Sequence, residues 1–95
     1  MQKKKAMKIR QSTRFKRDLK AARKRGLDMD LLDAIVELIS KRVPLPVKYQ
    51  DHPLVGNYAG FRECHVAPDW LLIYRIENDE VVLYLFRTGT HSDLF

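Results

Sequence analysis

The sequence predicts an α+β fold in which two N-terminal helices pack on a curved, mainly antiparallel sheet of about four strands. Hydrophobic residues recur at helical spacing up to residue 42, and the spacing changes to every second residue after residue 60. Short turns join the later apolar runs, so neighbouring strands should be antiparallel. The length of 95 residues favours a single domain over residues 1–95.

Both predicted helices have start signals. Ser12 or Thr13 can cap a first helix that Gly26 stops. Asp28 or Asp30 can cap a second helix that runs to about residue 42. Each helix has one apolar face, and the residues predicted to be buried on these faces are Phe15, Leu19, Ala22, Leu31, Leu32, Ile35, Leu38 and Ile39.

Alternating apolar residues predict the strands. Three strands are expected over residues 61–66, 70–76 and 81–87, and residues 7–11 are a candidate first strand. Two prolines exclude a helix after residue 43. Residues 43–59 are therefore predicted to be a loop.

Basic residues are concentrated at the N-terminus. Residues 1–25 hold 12 of the 18 Lys and Arg residues and one of the 12 Asp and Glu residues, a net charge of +11 that leaves −5 for the remainder. This asymmetry favours a polyanion on one face and a different partner elsewhere, although a solvated helix with a basic tail is the simpler alternative. Residues 1–6 are expected to form a flexible basic leader.

Several classes of protein are excluded. No apolar stretch approaches the roughly 20 residues of a membrane span, and the single cysteine cannot form an internal disulfide, so we expect a cytoplasmic protein without a membrane partner. Phosphate-loop, dinucleotide and nucleophile-elbow motifs are absent, so no cofactor is expected. No metal is expected either, because Cys64 and His65 are adjacent and should point to opposite faces of a strand.

The candidate chemistry lies in the second half of the chain. His52, His65 and His91 each have an acidic residue nearby in sequence, respectively Asp51, Asp69 and Asp93. Imidazole is the side chain best suited to proton transfer near neutral pH.

The predicted sheet can gather His65, Asp69, Arg87 and His91 on one concave face. Cleavage of RNA by its own 2′-hydroxyl needs a base, an acid and a cation near the phosphate, and these residues supply all three. The alternatives are an ion pair between Arg87 and an acidic residue such as Glu63, and plain burial of the Trp70 side chain.

Two segments resemble a known family. They are DHPLVGNYAGFRECHVAPDWLLIYRI at residues 51–76 and LFRTGTHSDLF at residues 85–95, and the helical half fits in layout. The chain resembles the YafQ branch of the RelE/ParE toxin superfamily over nearly its whole length. The resemblance implies a metal-independent endoribonuclease that enters the ribosomal A site and cuts messenger RNA there. It also implies a cognate antitoxin that blocks the active site in a hetero-oligomer.

The resemblance assigns the site residues by motif. The matched positions are His52 in DHPL, His65, Asp69 and Trp70 in HVAPDW, Arg87 and His91 in RTGTH, and Phe95 at the end. We assign His91 as the general acid and leave the base open between Asp69 and His65. Arg87 would clamp the scissile phosphate and Phe95 would stack on a base.

The other site residues have less defined roles. His52 would orient the substrate, and Trp70 would contact the substrate or support the turn. Ribosomal RNA would bind the basic face of the first helix, through Lys16, Arg17, Lys20 and Lys24. A ParE-like gyrase inhibitor and a non-catalytic module that binds RNA or the ribosome are the alternative functions.

Overall fold

The computed structural model describes residues 5–95 and confirms the predicted α+β class. Most of the predicted basic leader, residues 1–4, lies outside the described part. The elements in chain order are β1 (Lys8–Gln11), α1 (Thr13–Lys24), α2 (Met29–Ser40), β2 (His52–Pro53), β3 (Arg62–Ala67), β4 (Trp70–Glu77), β5 (Val82–Gly89) and α3 (His91–Leu94).

The sheet is mixed and has the strand order β1-β5-β4-β3-β2. Strand β1 runs parallel to β5, and the other three pairings are antiparallel. The fifth strand is β2, in the segment that was predicted to be a loop. The prolines exclude an α-helix, but the segment contains two short 3-10 helices, Val47–Tyr49 and Gly56–Tyr58. Between them, His52 and Pro53 pair with Glu63 and Arg62.

One face of the sheet is covered by α1 and α2. The hydroxyl of Ser12 caps α1 by accepting a hydrogen bond from Phe15 N at 2.9 Å, and Gly26 follows the helix with φ +77°. Leu31 was predicted to be buried, but its residue is 45% exposed because it lies about 100° around the helix from Leu32. The core side chains on this face include Phe15, Ala22, Leu32, Ile35, Ile39, Cys64, Val66, Leu72, Leu83 and Leu85.

The opposite face, which we call the site face, has a smaller apolar cluster. Leu71 and Ile73 of β4 pack there with Leu94 of α3. Partly buried side chains of the loop before β3 and of β5 complete the cluster, namely Leu54, Tyr58, Phe61 and Phe86. Helix α3 is thus held by apolar packing at the end of β5. No helix within residues 5–95 is long and apolar enough to cross a membrane.

Candidate active site

His91 and Asp69 form the exposed end of the site. The first residue of α3 is His91, and its Nδ1 lies 3.0 Å from Asp69 Oδ1 in the turn between β3 and β4. The backbone N–H of His91 donates to the same oxygen at 3.2 Å. Hydrogen bonding from the imidazole lowers the pKa of the Asp69 carboxyl. The carboxylate therefore holds the ring through Nδ1, which leaves Nε2 as the nitrogen available for a substrate.

His52 and His65 lie on either side of one buried carboxylate. Glu63 is 5% exposed, and its Oε1 is 3.5 Å from His52 Nε2 and 3.9 Å from His65 Nε2. The rings of His65 and His91 are 6.0 Å apart between centroids. Three imidazoles and two carboxylates therefore lie along the same side of the sheet.

Arg87 joins this face from β5. The strand register places Glu63 opposite Ile73 and Ile73 opposite Arg87, so all three side chains belong to one row. An ion pair with an acidic residue such as Glu63 was the alternative interpretation. Glu63 is not that residue, because Ile73 lies between the two residues at two strand spacings, about 10 Å, but Arg87 does form an ion pair with an acidic residue of α1.

The partner of Arg87 is Asp18 of α1. Arg87 Nε and Nη2 donate to the Asp18 carboxylate at 2.8 and 3.2 Å, and the backbone N–H of Thr88 donates to it at 3.0 Å. These hydrogen bonds raise the pKa of the Arg87 guanidinium. Because Nε and Nη2 are engaged by Asp18, a phosphate would have to approach Arg87 from the Nη1 side.

Helix α3 is fixed by a second acidic residue, Asp93. Thr90 and Asp93 form a reciprocal capping box, and Arg25 Nη1 donates to Asp93 Oδ2 at 2.8 Å. The Arg25 guanidinium, followed by the Thr90 backbone N–H, holds the pKa of the Asp93 carboxyl well below its usual range. Gly89 is needed here, since a Cβ at this position would lie 2.9 Å from Asp93 Oδ2.

Two aromatic residues assigned to the substrate lie in different environments. The Trp70 residue is 3% exposed, and its indole N–H donates to Thr88 Oγ1 at 2.8 Å, a geometry that favours the supporting role. Phe95 is 62% exposed and lies next to His91, with ring centroids 6.4 Å apart. An exposed ring beside an imidazole can stack on a nucleotide base.

The carboxylates that neighbour the histidines in sequence mostly have other partners. Asp51 accepts hydrogen bonds from Arg62 and, at 2.7 Å, from the hydroxyl of Tyr74. His52 points to the site face instead, because adjacent residues of a strand face opposite sides. The side chains of His65 and His91 face Glu63 and Asp69, not the acidic residues that follow them in sequence.

The donor set does not form an evident metal centre. Within residues 5–95, no three His, Cys, Asp or Glu side chains are clustered closely enough to hold a metal ion. Cys64 is fully buried on the helix side, and burial raises the pKa of its thiol to about 12. The Cys64 side chain therefore lies on the opposite side of the sheet from the histidines.

The sequence profile of a family described as the YafQ bacterial toxin of type II toxin–antitoxin systems matches residues 7–95. The chain belongs to the YafQ family. The mRNA interferase toxin YafQ of Escherichia coli strain K12 is 44% identical over 88 residues, which cover 92% of this chain and 94% of that relative.

Solved structures of bacterial toxins share the fold. The crystal structure of the E. coli DinJ–YafQ toxin–antitoxin complex has a TM-score of 0.85 at 42% identity, covering 95% of this chain and 98% of that chain. The crystal structure of a metal-bound toxin from Helicobacter pylori has a TM-score of 0.87 at 46% identity, covering 94% and 99% of the two chains.

Three residues at this YafQ-family site were not assigned to it from the sequence. Asp18 lies on a basic helix, Glu63 was considered only as a partner for Arg87, and Tyr58 lies in the predicted loop. The hydroxyl of Tyr58 donates to Leu94 O at 2.9 Å and so ties that loop to α3. Alternation along β3 could have placed Glu63 beside His65, but no local signal links Asp18 to β5.

Proposed function

We propose that this protein is the toxin of a type II toxin–antitoxin system, an mRNA interferase that cleaves messenger RNA in the ribosomal A site and thereby inhibits translation. The observation that carries the proposal is the convergence of two imidazoles, His91 held by Asp69 and His65 with Glu63 3.9 Å away, on the face that also carries Arg87. The names of the E. coli relatives support the substrate class.

The geometry favours different roles for the two imidazoles, with His65 as the general base and His91 as the general acid. Asp69 accepts two hydrogen bonds from His91 and has a lowered pKa, so it is a poor proton acceptor. His65, beside Glu63, is the better candidate for the base that takes the 2′-hydroxyl proton.

The cleavage reaction needs no further reactant. The 2′-oxygen bonds to phosphorus, the bond from phosphorus to the 5′-oxygen breaks, and His91 donates a proton to that leaving oxygen. The products would be a 2′,3′-cyclic phosphate and a 5′-hydroxyl. Arg87 would stabilise charge on the pentavalent phosphorus through Nη1, and Phe95 would stack on a base of the codon.

Cleavage on programmed ribosomes by a toxin that was first treated with EDTA and then desalted tests this function. We expect cuts at the A-site codon by primer extension, with no loss of rate when divalent ions are chelated from the toxin before mixing. Messages that stay intact while the protein inhibits DNA supercoiling by gyrase would contradict the proposal and favour the ParE-like alternative. Cleavage that requires added metal would contradict the acid–base mechanism alone.

Replacing Gly89 with alanine is expected to lower the cleavage rate. The added Cβ would meet Asp93 at 2.9–3.0 Å and move α3, and a displacement of about 1 Å at a catalytic group can cost on the order of 10²-fold. Single-turnover cleavage measures the loss. Ser92→Ala, an exposed change in the same helix, is the matched control and should keep the wild-type rate; equal rates for both variants would contradict the role of α3.

Neutralising the basic face of α1 is expected to weaken ribosome binding. Lys16, Arg17, Lys20 and Lys24 are all exposed, and none of them forms an ion pair with an acidic residue within the described part of the chain. A variant with all four changed to glutamine should bind ribosomes with a flatter salt dependence, because each lost phosphate contact lowers the log–log slope by about 0.7–0.9. Sedimentation at several salt concentrations measures it, and an unchanged slope would exclude this surface.

A cognate antitoxin is the second proposed partner. The E. coli relative has been crystallised with the antitoxin DinJ, and the same fold here supports a toxin–antitoxin hetero-oligomer in which the antitoxin covers the active site. We propose that both partners act in the cytoplasm, where messenger RNA is translated. Co-purification with the neighbouring gene product tests the complex.

A further inference from the structure

A row of alternating arginine and aromatic side chains crosses the site face beyond the catalytic residues. Phe61 precedes β3, Arg75 belongs to β4, Tyr84 to β5 and Arg10 to β1, and the register places Arg75 and Arg10 on either side of Tyr84. The Arg10 guanidinium carbon lies 4.1 Å from the Tyr84 ring centroid. The Arg75 guanidinium carbon lies 4.6 Å from the Phe61 centroid and 5.4 Å from the Tyr84 centroid.

This arginine–aromatic row is continuous with the catalytic centre. The Phe61 ring stacks on Phe86 with centroids 4.5 Å apart, and Phe86 contacts Tyr58 at 6.2 Å. Tyr58 in turn contacts Phe95 at 5.2 Å, and Phe95 lies beside His91. Aromatic rings therefore connect the proposed general acid to the outer strand of the sheet.

The row carries excess positive charge. The Glu77 carboxylate accepts hydrogen bonds from both Arg10 and Arg75 at 2.5 Å, and the Arg10 bond lowers the pKa of the Glu77 carboxyl the most. One carboxylate thus faces two guanidinium groups, which leaves one positive charge. The Arg10 side chain is 57% exposed and that of Arg75 is 39% exposed, so both are within reach of a ligand.

We propose that Arg10, Tyr84 and Arg75 bind the single-stranded RNA that flanks the cleaved nucleotide. Surfaces for single-stranded nucleic acids combine cations that follow the phosphates with rings on which bases stack, and guanidinium planes held over rings supply both. The row spans three strand spacings, about 14 Å, which is enough for a short flanking segment. The proposal rests on the proposed function, and it adds a substrate subsite that the catalytic residues do not include.

An acidic peptide is a weaker match for this surface. The guanidinium groups would attract its carboxylates, but the ring faces between them would have no counterpart. RNA uses both the charge and the stacking surface, and its path to the row starts at the nucleotide already held between His65 and His91. Continuity with the active site therefore favours RNA.

The test compares two messages on programmed ribosomes, one ending at the A-site codon and one extending well beyond it. We expect the wild type to cleave the longer message with a higher kcat/KM. The double variant R10Q/R75Q should lose about tenfold of that gain, the effect of about one stacked base, because it removes both guanidinium groups but keeps the Tyr84 ring. Its rate on the short message should match the wild type. K41Q, which removes an exposed charge directly after α2, should behave as wild type on both messages.

Each outcome decides between the alternatives. If the ratio of kcat/KM on the long message to that on the short message is the same for the wild type and R10Q/R75Q, the proposed subsite is overturned. If the wild type cuts neither message, the proposed function itself is overturned. Full cleavage of both messages by R10Q/R75Q together with weakened antitoxin binding would assign the row to a protein partner instead. R10K/R75K, which keeps the charge but loses the planar stacking group, should fold as wild type and recover part of the gain.

Discussion

Replacing His91 with glutamine is expected to reduce the single-turnover rate of mRNA cleavage by about 10²–10⁴-fold, the usual contribution of a general acid. The backbone N–H of residue 91 still donates a hydrogen bond to Asp69, so α3 should keep its position. The glutamine side chain cannot transfer a proton to the leaving 5′-oxygen. Quenched-flow cleavage on programmed ribosomes measures the rate, and ribosome binding should be unchanged.

A substrate with a sulfur atom in place of the leaving 5′-oxygen separates the acid from the base. Because a thiol has a pKa near 8.5, the thiolate can leave without being protonated. This substrate should therefore restore much of the cleavage rate to His91→Gln. The same substrate should not rescue His65→Gln, which removes the proposed base. Rescue of His65→Gln in place of His91→Gln would reverse the two assignments.

Replacing Arg87 with alanine is expected to reduce cleavage by about 10²–10³-fold while ribosome binding persists, because the guanidinium would act mainly on charge that develops in the transition state. The change also leaves the Asp18 carboxylate, whose side chain is 15% exposed, with only the Thr88 N–H as partner. We therefore expect the free energy of unfolding to fall by about 1–3 kcal/mol. Loss of ribosome binding together with cleavage would contradict the phosphate-binding role.

Two further variants separate folding from catalysis at Arg87. Asp18→Asn keeps the guanidinium and a similar side-chain shape but removes the ion pair, so it should lower stability and retain much of the activity. The double variant D18N/R87A should be no less stable than R87A, because no unpaired charge remains beside Thr88. Thermal unfolding and cleavage are measured on the same preparations. Inactivity of Asp18→Asn at full stability would show that Asp18 orients Arg87 for the reaction.

Much of the fold follows from local patterns. The cap at Ser12, the stop at Gly26 and the apolar spacing of α1 and α2 are properties of short sequence windows, so they could be predicted. The antiparallel meander of β3, β4 and β5 follows from two short turns between alternating segments. Strand β2 could not be predicted, since a two-residue strand has no period and exists only because Glu63 and Arg62 lie opposite it.

Sequence motifs were enough to single out the candidate residues for the proposed chemistry, because the histidines, Arg87 and the acidic positions lie in motifs that can be recognised. Their pairing became visible only in the folded chain: Asp18 binds Arg87 across 69 positions of sequence, and Glu63 lies between His52 and His65. The pairing depends on which face each strand residue points to and on the edge of β5 that α1 covers. Strand register fixes the direction of each side chain, and helix packing fixes which edge of β5 is covered. Neither can be predicted from a short stretch of sequence.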